Sequence, residues 1–365
     1  MRFDSDAATP ALRSPLPTAT EEPEAPSDPL LPPDLHYVDD SQPGIRRRSL
    51  RGRFIYVDAR GERIRDADEI RRIERLAIPP AYRDVWICSD PQGHLQATGR
   101  DARGRKQYRY HPRWREIRDA NKYGRMLQFG HSLPALRAQI EKHLALRSLC
   151  REKIMATVVA LLDATLIRIG NPQYARDNRS YGLTTLRNRH VEVKGASIHF
   201  RFRGKSGVEH RLRLDHPRLA RVMRRCRELP GQHLFQYLDD QGERRAVTST
   251  DVNAYLREIS GADFTAKDYR TWAGSALALA RLREQPWEPE SEARKNLVET
   301  VKVVAKTLGN TPAVCRKCYI HPNLLDAFGR GELARLPKAR KRKWLSTEEV
   351  ALLRFLERHV EAQSN

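Results

Sequence analysis

Arg168, Lys205, Arg270, Asn310 and Tyr319 are far apart in the chain, yet their chemistry suits one reaction. In-line attack on a phosphodiester passes through a five-coordinate phosphorus with added charge on its non-bridging oxygens. Planar, permanently charged guanidinium forks suit those oxygens. A tyrosine hydroxyl can be the nucleophile. A lysine can protonate the leaving alkoxide, and does so more readily when desolvated beside arginines. No acidic metal-binding cluster is evident, so the cations are expected to do the work of magnesium in two-metal nucleases.

Each of these residues must be positioned by local structure, and each also has a plainer use. Tyr319 closes the stretch Thr307-Leu-Gly-Asn-Thr-Pro-Ala-Val-Cys-Arg-Lys-Cys-Tyr319. The stretch reads as a helix end, a break at Gly309-Asn310, and a short helix with Thr311 as N-cap and Pro312 at its first position. That helix is expected to stop at about Pro322. Arg316 and Lys317 give the phenol a cationic setting, although a tyrosine followed by isoleucine is more often a packing residue. Arg168 falls in the last turn of a helix over 152–169, with Ile154, Val158, Leu161, Leu162 and Thr165 on one face and Gly170 and Pro172 ending it. A cation there also complements the helix dipole. Lys205 stands at the tip of a hairpin formed by 198–203 and 208–214, where lysine commonly serves solubility but can also reach a ligand from a rigid sheet. Thr265 and Asp268 cap a helix running to Leu282, which puts Arg270 near its first turn. A cation is unfavourable there, so another task is expected for Arg270. Further helices are expected at 133–149, 217–228, 250–259 and 291–308, a strand at 190–194, and a C-terminal helix capped by Ser346 and Glu349.

The net charge of +21 is unevenly spread. Residues 1–40 hold 2 basic and 9 acidic side chains with 8 of the 22 prolines, net −7, so residues 41–365 carry +28. The first 40 residues read as a disordered acidic tail, and the basic body calls for a polyanion, DNA or RNA. No run is apolar enough to span a bilayer, no amphipathic basic face suits a membrane surface, and no signal peptide opens the chain, so a cytoplasmic protein is expected. The five cysteines are an odd, scattered set and are expected to be reduced. Cys315-x-x-Cys318 has no second ligand pair, and both are read as packing residues, not a zinc or redox site.

Residues 41–118 read as short strands: a hairpin of 54–58 with 62–65, a helix over 67–76, and a second hairpin of 84–88 with 94–98. The run from Gly99 to Trp114 interleaves cations with aromatic and amide side chains. Arg105, Gln107, Tyr108 and Tyr110 therefore suit phosphate and base contact; the plainer alternative is a solvated charge run with both tyrosines turned into a sheet.

In six motifs the chain resembles a known family, the type IB DNA topoisomerases, in the small form found in poxviruses and bacteria. These are Gly104-Arg-Lys-Gln-Tyr-Arg-Tyr110, Arg168-Ile-Gly170, Tyr181-Gly-Leu-Thr-Thr-Leu-Arg187, Phe202-Arg-Gly-Lys205, Lys267-Asp-Tyr-Arg270, and Gly309-Asn-Thr-Pro312 followed by Tyr319. The resemblance covers about residues 40–330. It implies an α+β chain with a small, mostly β N-terminal domain at 41–118, a linker at 119–130 and a larger, mainly α catalytic domain at 131–365, closing on duplex DNA as a C-shaped clamp. It implies that Tyr319 forms a 3′-phosphotyrosyl link, that Arg168 and Arg270 bind the scissile phosphate, and that Lys205 protonates the 5′-oxygen. Arg105, Gln107, Tyr108, Tyr110 and Arg187 would contact the duplex. Supercoil relaxation by a nucleoid-associated monomer, without ATP, metal or other cofactor, is the implied activity. One position departs from the family, which usually has histidine where Asn310 stands; a neutral donor in its place implies slower cleavage, by up to about 1.5 kcal/mol. The alternatives are a tyrosine recombinase, against which Lys267 counts because those enzymes generally place histidine there, and a non-catalytic DNA-binding protein of the same fold, which Asn310 favours.

Overall fold

Val85-Trp-Ile-Cys88 is apolar at four consecutive positions, which in a strand of period two means burial on both faces. The computed structural model, which describes residues 34–364 apart from 51, 103 and 240, has this arrangement. Strands β1 (Ile45–Leu50), β2 (Arg53–Val57), β3 (Arg83–Ile87), β4 (Leu95–Arg100) and β5 (Lys106–Tyr110) form an antiparallel sheet ordered β2-β1-β3-β4-β5. Val85 and Ile87 pack with Ile45, Ala97 and Ile73 of helix α1 (Ala67–Arg75), whereas Trp86 and Cys88 form a separate cluster with Leu95.

Three expectations change here. Strand β2 pairs with β1, not with 62–65, which contributes only the bridge between Val57 and Arg63. Arg46, Arg47 and Arg48 hid β1 from hydropathy, because Ile45 is its one buried side chain. Residues 34–40 are docked onto the sheet: Leu35 is buried, His36 N–H donates to Gln92 O at 2.8 Å, and Asp40 accepts from Thr98 at 2.8 Å. The rest of the expected acidic tail lies outside the described residues. Finally, the expected linker at 119–130 is helical, part of α2 (Pro112–Leu144). Gly130 in this helix marks close packing, since a Cβ there would run into the Trp272 ring.

The chain divides into two compact units between Asn121 and Lys122. The second is mainly helical: α3 (Arg151–Thr165), α4 (Pro172–Asn178), α5 (Pro217–Glu228), α6 (Ser249–Ser260), α7 (Ala266–Arg283), α8 (Glu290–Leu308), α9 (Pro312–Cys318), α10 (Pro322–Gly329) and α11 (Thr347–Ser364). A sheet of β6 (Val191–Lys194), β7 (Ser197–Arg203) and β8 (Glu209–Asp215), in that order, and a small hairpin of β9 (Gln236–Leu238) with β10 (Arg244–Ala246) complete it. Helix α3 is buried nearly all round from Lys153 to Leu162, so it is the central helix of this core and not a one-faced surface helix. Among the described residues no helix is long and apolar enough to cross a membrane.

A charged pin ties four helices together. Arg137 of α2 donates to both carboxylate oxygens of Asp163 on α3, at 2.7 and 2.9 Å, and to both of Glu349 on α11, each at 2.8 Å. Glu349 also accepts from the Trp272 indole of α7 at 3.0 Å. Burial works against charge on Glu349, but the Arg137 hydrogen bonds outweigh it and hold the carboxyl below the usual range. Removing the cation leaves two enclosed carboxylates without their main partner. Arg137→Ala is therefore expected to cost about 3–5 kcal/mol, measured as a fall in the urea unfolding midpoint at neutral pH.

Candidate active site

The segment carrying Arg168 begins with a forced break. Helix α3 stops at Thr165 because Leu166 takes the left-handed conformation, φ 56° and ψ 17°. That is unusual for a branched residue and costs about 1–3 kcal/mol unless the surroundings hold it. They do hold it, since Arg270 Nη1 donates to Leu166 O. Arg168 thus lies beyond the helix, not in its last turn as expected. Its carbonyl accepts from Leu183 N at 2.9 Å, and Thr184 Oγ1 donates to Gly170 O at 3.2 Å. The 181–187 motif is in this way a cradle for the arginine segment.

Helix α7 starts with the expected box, Thr265 N–H donating to Asp268 at 2.7 Å. One turn in, Arg270 is only 4 % exposed and donates from Nη2 to Leu308 O at 2.7 Å, satisfying a carbonyl at the end of α8. It thereby joins the end of α3 to the end of α8. Its guanidinium carbon lies 5.2 Å from the centre of the Tyr319 ring. Further along α7, a Cβ on Gly274 would approach Tyr319 O to 2.6 Å, and Ser275 Oγ donates to that oxygen at 3.3 Å while accepting from His321 N–H at 3.0 Å. One helix therefore supplies a guanidinium and grips the tyrosine backbone. Gly274 and Ser275 were not singled out from sequence, because the partner they serve is 44 residues away from Ser275.

Gly309 ends α8 at φ 59°, the left-handed cap that glycine adopts most readily, and Asn310 N–H closes it onto Ala305 O at 2.8 Å. Thr311 then caps α9 through Val314 N–H. Helix α9 ends at Cys318 with Tyr319 as its C-cap, and Pro322 opens α10 instead of closing α9. Cys315 is buried and Cys318 is half-buried, and neither is in a disulfide. Arg168 Nη2 donates to Gly309 O at 2.7 Å and to Asn310 Oδ1. Guanidinium cannot accept, so the asparagine oxygen must face Arg168 and its amide nitrogen must point elsewhere.

The structure brings together Arg168, Arg270, Asn310 and Tyr319. Two donors among them, Arg270 Nε and Asn310 Nδ2, are buried without a hydrogen-bond partner among the described residues. Neither arginine is paired with a carboxylate there; their hydrogen-bond partners are backbone carbonyls and the Asn310 side-chain oxygen. Burial lowers the pKa of both, and for Arg168 the neighbouring Arg270 charge adds to the effect. Buried cations and orphan N–H groups without an anion are costly, and together they suit an oxyanion that offers more than one acceptor oxygen.

Lys205 sits on a short 3-10 turn between β7 and β8 and is exposed. The side chain that links its loop to the rest of the cluster is His210 of β8. A Cβ placed on Gly204 would come within 2.5 Å of His210 Nε2, and one on Gly309 within 3.0 Å of His210 Cε1 and 3.7 Å of Arg168 Nη1. Sequence reading passed over His210, whose alternating position in a hairpin gave no sign of a contact 99 residues away.

Of the expected nucleic-acid contacts, Arg187 is in the second unit, donating to Gln232 at 2.8 Å with its guanidinium carbon 5.7 Å from the Tyr181 ring centre. The others lie in the first unit. Tyr108 is exposed on β5 and stacked on Tyr110, with Lys106 Nζ 5.5 Å from its ring centre. Arg105 and Gln107 both donate to Asp101 Oδ2, at 2.7 and 3.0 Å, so part of their hydrogen-bonding capacity serves the turn.

Residues 111–341 match a family model described as eukaryotic DNA topoisomerase I, catalytic core, and residues 53–101 one described as bacterial DNA topoisomerase IB, N-terminal domain. A DNA topoisomerase 1B of Acanthamoeba polyphaga mimivirus is 30% identical over 293 residues, covering 78% of this chain and 87% of that protein. A DNA topoisomerase I of Monkeypox virus and a DNA topoisomerase 1B of Vaccinia virus are each 22% identical over 261 residues, covering 70% of this chain and 80% of theirs.

Proposed function

Because the chain belongs to the type IB DNA topoisomerase family, we propose that the oxyanion its second unit is built for is the scissile phosphate of duplex DNA, and that Tyr319 attacks it. The phenol oxygen forms a bond to phosphorus as the bond to the 5′-oxygen breaks. The phenol proton passes to water, and the Lys205 ammonium gives its proton to the 5′-oxygen. Arg168, Arg270 and Asn310 hold the non-bridging oxygens as their charge grows. Lys205 is solvated in the free protein, so its desolvation comes from the bound duplex. The phosphotyrosyl ester conserves the bond energy, and the reverse attack by the 5′-hydroxyl reseals the strand without ATP. Between the two steps the free end rotates about the intact strand. The basic surfaces, including Arg105, Gln107, Tyr108, Tyr110 and Arg187, hold the duplex, and the protein works as a cytoplasmic monomer.

What supports the reading above all is the pair of buried, unpartnered donors, Arg270 Nε and Asn310 Nδ2, in the cluster that holds Tyr319. The test is relaxation of supercoiled plasmid in EDTA without ATP, with denaturant added to trap covalent protein. Relaxation of both supercoil signs together with a protein-DNA adduct is expected. No relaxation and no adduct, with duplex binding intact, would overturn it.

Asn310 offers a graded check. Asn310→Ala removes one donor to the phosphate and the side-chain acceptor that orients Arg168. Cleavage in single-turnover assays is expected to slow about 10²-fold, at the lower end of the usual effect of deleting an oxyanion donor. Duplex affinity should change little, since one neutral amide is a small part of a many-phosphate interface.

A further inference from the structure

We propose that His210 is a positioning residue for strand cleavage: its ring is a wedge that sets the Lys205 loop against the Gly309-Asn310 break and so aims the proton donor at the leaving oxygen. The inference rests on the reading of Lys205 as that donor. His210 is paired with Phe202 across the β7–β8 register, and the two rings stack with centres 4.8 Å apart and planes 7° from parallel. The outer edge of the imidazole then occupies space that two glycines leave open. Gly204 immediately precedes Lys205, and Gly309 immediately precedes Asn310. Nε2 and Cδ2 lie 2.5 and 2.6 Å from where a Gly204 Cβ would be, and Cε1 lies 3.0 Å from that of Gly309. Gly204 N–H is closed onto Val208 O at 2.8 Å, so the loop moves with its hairpin and its place is set by what the hairpin leans on. The ring has no hydrogen-bond partner among the described residues, which fits a role in shape, not in a polar network. Burial, and then the Arg168 and Arg270 charges, lower its pKa and so disfavour a charged ring beside the two arginines.

A positioning role for proton donation is separable from a general role in the cluster by changing the leaving group. A duplex with sulfur in place of the bridging 5′-oxygen, at a cleavage position first mapped on the unmodified duplex, departs as a thiolate and needs no proton. Lys205→Ala is expected to slow cleavage of the oxygen duplex by about 10²-fold or more and to cleave the sulfur duplex within about threefold of wild type. His210→Ala should show the same pattern, while His210→Phe, which keeps a ring on Phe202, should restore most of the rate on the oxygen duplex. Gly204→Ala, at a backbone φ of −94° that accepts a side chain, displaces the ring without removing it and should reproduce the His210→Ala pattern even if that variant folds poorly. If His210→Ala and Gly204→Ala slow both duplexes equally, or neither, while Lys205→Ala is rescued by sulfur, the wedge assignment fails by itself. If Lys205→Ala is not rescued, the proton-donor reading fails and takes the wedge with it.

Discussion

Tyr319→Phe removes all detectable strand cleavage, a loss of at least about 10⁴-fold, and leaves the fold and the duplex affinity in place. The expectation is sharp because three contacts that hold residue 319 act on its backbone. Ser275 Oγ binds the carbonyl, Gly274 lets α7 approach it, and Cys315 O accepts its N–H at 2.9 Å. Phenylalanine keeps all three and keeps the ring beneath the Arg270 guanidinium. The substitution removes only the hydroxyl, the group that would attack, and leaves these backbone and ring contacts in place. The measurement pairs adduct formation under denaturant with duplex affinity and a urea midpoint. A variant that still relaxes plasmid would place the nucleophile elsewhere and sink the mechanism.

Arg270→Lys, conservative in charge, is expected to lower the cleavage rate by about 10²–10³-fold. Arg270 donates from Nη1 to Leu166 O and from Nη2 to Leu308 O, places its guanidinium carbon 5.2 Å from the Tyr319 ring centre, and leaves Nε buried and unspent. A lysine ammonium is a single point that cannot reach both carbonyls and still present an N–H to phosphate. Losing the bond to Leu166 O also releases the left-handed backbone from which the Arg168 segment starts, so the two arginines proposed to bind the phosphate are expected to fail together. Single-turnover cleavage of Arg168→Lys, Arg270→Lys and the double variant tests this: the double variant should be much less impaired than the product of the single losses. Fully multiplicative losses would show that the arginines act independently.

How much of this was legible depended on whether the decisive contact is local. The Thr265 and Asp268 box, the Gly309 break with the Thr311 and Pro312 start, and the Lys205 hairpin are each written within a few residues, and all three were read in place. Arg270 stood out because a cation near a helix N-terminus contradicts the dipole, and the contradiction was the clue. The end of α3 was misplaced because no glycine announces the left-handed turn at Leu166; a guanidinium 104 residues on stabilises it. Strand β1 was invisible because three arginines occupy a strand with one buried residue, and the close packing of Gly130 on Trp272 joins residues too far apart in sequence to be read. The roles of His210 and Ser275 come from partners distant in sequence, which neither composition nor period encodes.

The grip of α7 on residue 319 has a mechanical side. In the proposed reaction the tyrosine becomes one end of a cut strand while stored twist unwinds, so the backbone there bears torque. Helix α9 is too short to take that load alone. Ser275 hands it to an 18-residue helix, and the Trp272 indole bond to Glu349 passes it on to Arg137 and three other helices. The buried ion cluster, remote from the chemistry, then serves as the foundation of a swivel: loosening it should let the joint creep under tension long before the protein unfolds.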